Sequence, residues 1–108
     1  MSIAEDYVRA VNAADESALL ALFATGAELR NPRGIFSGHD EIAGFYRNVV
    51  FAGRAQTRIT RVIPGPAVEV AQLEATSPLG APGNRTYAID VFSLDPDGRI
   101  ATLEIYYR

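Results

Sequence analysis

Four strand-like runs fill the second half of the chain: "RAQTRITRVI", "AVEVAQLEAT", "NRTYAIDVFSL" and "RIATLEIYYR". Each is rich in β-branched or aromatic residues. They are separated by "PGP", "SPLGAPG" and "DPDG", which are turn punctuation. Connections this short make neighbouring strands antiparallel, and "DPDG" predicts a tight hairpin between the last two. A meander of this kind has to cover one apolar face. The first half of the chain must supply that cover.

It reads as helices. Ser2-Ile3-Ala4-Glu5 fits a capping box. After it Ile3, Tyr7, Ala10, Val11 and Ala14 recur at helical spacing, which predicts a helix over about residues 3–14. Asp15 can cap a second helix in "ESALLALFA", with Leu19, Leu22 and Phe23 inward and Gly26 as its stop. "AELRN" reads as a short strand, Pro32 and Gly34 as a turn, and "IFS" as a further brief strand. Residues 38–53 carry Ile42, Phe45, Tyr46, Val49 and Val50 on one stripe of a third helix. Helices first and antiparallel strands later argue an α+β fold, one domain over residues 1–108, with three N-terminal helices packed on a curved, mostly antiparallel sheet.

What the chain lacks narrows its chemistry. It has no cysteine, so disulfides and thiolate chemistry are excluded. It has no lysine, so Schiff-base catalysis is excluded too. Its one histidine, His39, opens the third helix and has no partner imidazole for a metal site. No apolar run is long enough to span a bilayer, and the first residues lack the pattern of a secretory signal. The net charge of −3 argues against nucleic acid. A cytoplasmic protein with no metal, whose working groups are carboxylates, amides, tyrosines or arginines, is the plain expectation.

One residue breaks the pattern of the third strand. Asp90 shares a strand face with Ala88 and Phe92, while Tyr87, Ile89 and Val91 occupy the other. An ionised carboxylate on an apolar face is costly. Desolvation drives it toward the neutral acid, which can donate a hydrogen bond. The alternative is a pairing with arginine or exposure at a sheet edge.

The order of helix, helix, strand, helix and meander resembles the cone-shaped fold shared by nuclear transport factor 2, polyketide cyclases of the SnoaL type, scytalone dehydratase and ketosteroid isomerase. The stretch "DESALLALFATGAELRNPRG…SGHDEIAGFY" carries the general pattern. Three positions resemble ketosteroid isomerase in particular. In that family a tyrosine of the first helix and a protonated aspartic acid of the long sheet donate to the steroid C3 oxygen, and an aspartate before a turn carries the proton between carbons. Tyr7 falls at the tyrosine, Asp90 in "AIDVF" at the acid, and Asn31 in "LRNPRG" at the base. Ketosteroid isomerase is itself the standard case of a carboxylic acid kept neutral for donation.

The resemblance implies a steroid Δ5-isomerase that works without a cofactor. It would move the double bond of a 3-ketosteroid from β,γ to α,β through a dienolate. Its pocket wall would come from Val11, Phe45, Ala88, Leu103, Ile105 and Tyr107, with Tyr46 bonded to Tyr7. An amide cannot take up and return a proton, so Asn31 implies tight binding of dienolate-like or phenolic ligands and slow turnover. An engineered substitution is the preferred origin of Asn31, and a natural relative that lost its base is the other. The resemblance also implies a homodimer, formed through a sheet face carrying Arg58, Glu69 and Glu104. The alternative function is a non-catalytic module that binds a hydrophobic ligand or serves as a scaffold.

Overall fold

The computed structural model describes residues 2–80 and 83–108. The turn read over "SPLGAPG" includes Ala81 and Pro82, which lie outside the described residues. Helix α1 (Ile3–Asn12) starts on the capping box: Ser2 accepts from the Glu5 amide, and the Glu5 carboxylate accepts from the Ser2 amide. Helix α2 (Glu16–Ala21) is capped by Asp15, whose side chain accepts from the Ala18 amide. It is shorter than its pattern predicts. Leu22 is its C-cap, and Phe23 already begins strand β1 (Phe23–Asn31). The periodicity could not place that switch, because a fully buried phenylalanine suits a core helix and a core strand equally.

Strand β2 (Gly34–Ser37) returns antiparallel to β1, and helix α3 (Gly38–Phe45) follows directly. From Tyr46 to Phe51 the third helix widens into a π-helix. Strands β3 (Gln56–Ile63), β4 (Val68–Thr76), β5 (Thr86–Leu94) and β6 (Ile100–Tyr107) then form the meander. The sheet order is β2-β1-β6-β5-β4-β3. Only β1 and β6 run parallel; the other pairings are antiparallel. The β5–β6 hairpin is set by Asp95, whose carboxylate accepts from the amides of Asp97 and Arg99, and by Gly98 at φ +83°.

The helices cover one face of the sheet, α1 over β3 and β4, and α3 over β1 and β2. Register decides which residues meet them. Asp90 pairs with Ala71 and with Ile105, and Phe92 with Leu103, so Asp90, Phe92, Leu103 and Ile105 all face the helices. Phe23, Leu29, Phe92, Ile100 and Leu103 are buried there. Each such side chain contributes roughly 1.5–3 kcal/mol when removed from water.

Glu69 corrects the expectation for the outer face. It pairs with Phe92, so it faces the helices, and it is buried. Its carboxylate accepts from the Ala4 amide at 2.9 Å, holding the N-terminus of α1 to the sheet. Arg58 and Glu104 do lie on the outer face. Arg58 binds Glu74 across the β3–β4 pair, and Glu104 accepts from the Tyr106 hydroxyl. Among the described residues no helix is long and apolar enough to cross a membrane.

Candidate active site

Between α1, the third helix and the inner sheet face lies a cavity of about 280 Å³. Its lining includes Tyr7 and Val11 from α1, Phe45 and Tyr46 from the third helix, Ala88 and Asp90 from β5, and Ile105 and Tyr107 from β6. Each is there for a local reason. Tyr7 and Val11 are one helical turn apart on the buried stripe of α1. Ala88 and Asp90 alternate inward on β5, and Ile105 and Tyr107 do the same on β6.

Asp90 is 1 % exposed, and among the described residues its Oδ1 has no hydrogen-bond partner. Burial pushes its carboxyl up to about 7 from the ordinary 3.8. Among the described residues no ion pair is made by Asp90, and burial alone accounts for its raised carboxyl. At neutral pH and below, much of this group is the protonated acid, a potential donor in the lining of an apolar cavity.

Beside it, the Tyr7 and Tyr46 hydroxyls are 2.5 Å apart. Burial raises both phenols well above their ordinary range, and for Tyr7 the neighbouring Tyr46 and Asp90 add to the rise. Both therefore stay protonated, with two hydrogens and one bond between them. Tyr7 also stacks edge-on against Phe92, with ring centroids 5.2 Å apart, which fixes its ring.

Two of the expected residues do not line this cavity. Leu103 is fully buried, opposite Phe92 on β6, and belongs to the core; Ile105 and Tyr107 take the wall. Asn31 ends β1 and lines an adjoining cleft, which shares Ile105 and Tyr107 with the cavity. Its Oδ1 accepts from the Arg33 amide at 2.8 Å, an Asx turn across Pro32. Its Nδ2 is buried and, among the described residues, has no hydrogen-bond partner. Arg30 pairs with Glu104, so Asn31 comes beside Ile105, which itself faces Asp90. Asn31 and Asp90 thus flank one isoleucine on the inner face, about 10 Å apart at the backbone by strand spacing.

Other lining residues have only a partial signal in the sequence. Thr86 continues the inward alternation of Ala88 and Asp90 and was within reach of that pattern. Thr57 and Ala75 depend on register across β3 and β4, and Ser77 lies just beyond the end of β4. Val49 and Val50 stand on the predicted stripe, but the π-helical turn that brings both to the cavity has no periodicity of its own. His39 stays outside, with Nε2 3.0 Å from the Phe23 carbonyl oxygen. Among the described residues no three His, Cys, Asp or Glu side chains cluster as a metal site would require.

A curved mixed sheet wrapped on three helices is the nuclear transport factor 2-like architecture, and in this chain it encloses an apolar cavity lined by Asp90 and the Tyr7–Tyr46 pair. The chain belongs to the SnoaL-like domain family, whose model matches residues 4–103. No curated protein matches it in sequence. A solved protein from Sphaerobacter thermophilus is 28% identical, with a TM-score of 0.82, and the alignment covers 98% of this chain and 93% of that one. The salinomycin enzyme SalBIII, called epoxide hydrolase/cyclase-like, is 24% identical over 98% and 88% of the two chains, with a TM-score of 0.81. Rv0760c from Mycobacterium tuberculosis, solved in complex with estradiol-17β-hemisuccinate, is 17% identical over 98% and 91%, with a TM-score of 0.83.

Proposed function

We propose that this chain is a steroid Δ5-isomerase in architecture, which binds a 3-ketosteroid or a phenolic steroid and turns substrate over slowly. The observation that carries this reading is Asp90: a buried acid with an unpartnered oxygen, in the same cavity as the Tyr7–Tyr46 pair. In the proposed complex Tyr46 donates to Tyr7, and Tyr7 and neutral Asp90 both donate to the steroid C3 oxygen. Two preorganised donors in a dry site stabilise the charge that a dienolate places on that oxygen. The apolar wall of Val11, Phe45, Ala88, Ile105 and Tyr107 suits a flat ring system. The steroid bound to Rv0760c supports the ligand class.

Asn31 occupies the position of the proton carrier. With its Oδ1 turned to the Arg33 amide, it presents N–H rather than a basic oxygen. The same observation favours the second reading, a module that holds the ligand without converting it. Absorbance of the conjugated enone formed from a Δ5-3-ketosteroid separates the two. The isomerase reading expects Asn31→Asp to raise the rate by about 10²–10⁴, the usual contribution of a general base. No gain in that variant leaves the binding module.

We also infer a homodimer. Ile63, Val68, Ile89 and Tyr106 are exposed together on the outer sheet face, as large apolar patches at interfaces are. Sedimentation velocity on the wild type and on Ile89→Glu tests it, a dimer turned monomeric being the expected result.

A further inference from the structure

The cavity has a second polar end. Thr57 pairs with Ala75, and Ala75 with Thr86, so the two threonines flank one alanine in a single row across β3, β4 and β5. All three line the cavity. Asp90 stands four residues along β5 from Thr86, about 14 Å at the rise of an extended strand. Ala88 and Leu73, which pair with each other, make the apolar stretch between these ends. Among the described residues neither threonine hydroxyl has a protein hydrogen-bond partner; Thr57 is half-buried and Thr86 is exposed. Thr57 is nevertheless held firmly. The Asn12 side chain accepts from the Thr57 amide at 2.7 Å and donates to its carbonyl at 2.8 Å. Among the described residues no lysine or arginine lines the cavity, and Asp90 is its one carboxyl group.

We propose that Thr57 and Thr86 form a distal subsite that reads a neutral hydroxyl or carbonyl at the far end of the ligand. The inference rests on the reading that the near oxygen lies at Tyr7 and Asp90. A fused four-ring ligand with an oxygen at each end spans a distance of this order, and its apolar body matches the alanine and leucine between. A carboxylate at the far end finds no cation among the lining residues and would give up part of its hydration beside half-buried Thr57.

Calorimetric titration with three 4-ene-3-ketosteroids tests this: one with a 17-hydroxyl, one with hydrogen at C17, and one with a 17-carboxylate. The wild type should bind the hydroxyl compound about fivefold tighter than the 17-deoxy compound, the worth of one net hydrogen bond, and the carboxylate weakest of all. The double variant Thr57→Val, Thr86→Val should lose that preference while keeping its affinity for the 17-deoxy compound. That retained affinity also shows that the variant is folded. Equal wild-type binding of hydroxyl and deoxy compounds, a preference that survives in the double variant, or a carboxylate that binds best would each overturn the subsite. If none of the three binds, the proposed function itself falls and takes the subsite with it.

Discussion

Tyr46 and Tyr7 hold their hydroxyls 2.5 Å apart inside the cavity, from helices far apart in the chain. One hydrogen serves the bond between them, so one remains for a ligand. Tyr7→Phe removes the group placed against the ligand in the proposed complex and leaves the Tyr46 hydroxyl buried without its partner. Affinity for a 3-ketosteroid should fall about tenfold or more, and stability by about 1–3 kcal/mol. Tyr46→Phe keeps the Tyr7 donor and should cost less affinity. Equal losses in the two variants would contradict the order Tyr46 to Tyr7 to ligand.

Asp90 makes stability depend on pH in a stated direction. Its carboxyl is raised to about 7 in the folded chain against an ordinary 3.8. Between those values the folded chain keeps a proton that the unfolded chain has released. Stability is therefore highest below about pH 4 as far as this group is concerned, and is lost as pH rises to about 7. At about 1.4 kcal/mol per unit the loss is on the order of 4 kcal/mol. Urea unfolding of the wild type and of Asp90→Asn at pH 4.5 and 7.5 isolates it: the variant should gain on the wild type at the higher pH. A difference between the two proteins that stays constant with pH would rule this out.

The same proton should govern binding. A 4-ene-3-ketosteroid offers only an acceptor at C3, so it needs the neutral acid. Its affinity should be level below about pH 7 and fall by up to about tenfold per unit above it. Asp90→Asn retains an N–H donor at every pH and should bind with a flat profile. Fluorescence or calorimetric titration across pH 5.5–8.5 reads both curves.

Glu69 ties α1 to the sheet through the Ala4 amide. Glu69→Ala removes that acceptor at a helix N-terminus and should lower stability by about 1–2 kcal/mol, in the range of a lost cap. That corresponds to a thermal midpoint roughly 5–10 °C lower for a chain of this size. Glu69→Gln keeps an acceptor and should lose less. Because Tyr7 rides on α1, Glu69→Ala should also weaken ketosteroid binding, whereas a Glu74→Ala change on the outer face should not.

Local pattern was sufficient for much of the architecture. The capping box at Ser2, the cap at Asp15, the inward stripe through Tyr7 and Val11 and the turn at Asp95 each depend on residues within a few positions of one another. The oddity of Asp90 on an apolar strand face was legible for the same reason, since alternation along a strand is a period of two. The expectation for Glu69 fails because both faces of β4 carry apolar residues: alternation puts Glu69 with Ala71 and Leu73 and leaves Val68 and Val70 on the other side, and the packing of α1 on β4 decides which set turns inward. Leu103 and Ile105 share one face of β6, yet Leu103 lies under Phe92 in the core and Ile105 reaches the cavity; only the packing of the helices separates them. Asn31 shows the limit most clearly. Its chemistry, an amide that cannot carry a proton, follows from its identity alone. Its place beside Ile105, one strand removed from Asp90, comes from the parallel β1–β6 pairing of segments some seventy residues apart in the chain. Hydrogen bonding and side-chain alternation act over a few residues, whereas a cavity is a property of surfaces brought together by long-range pairing.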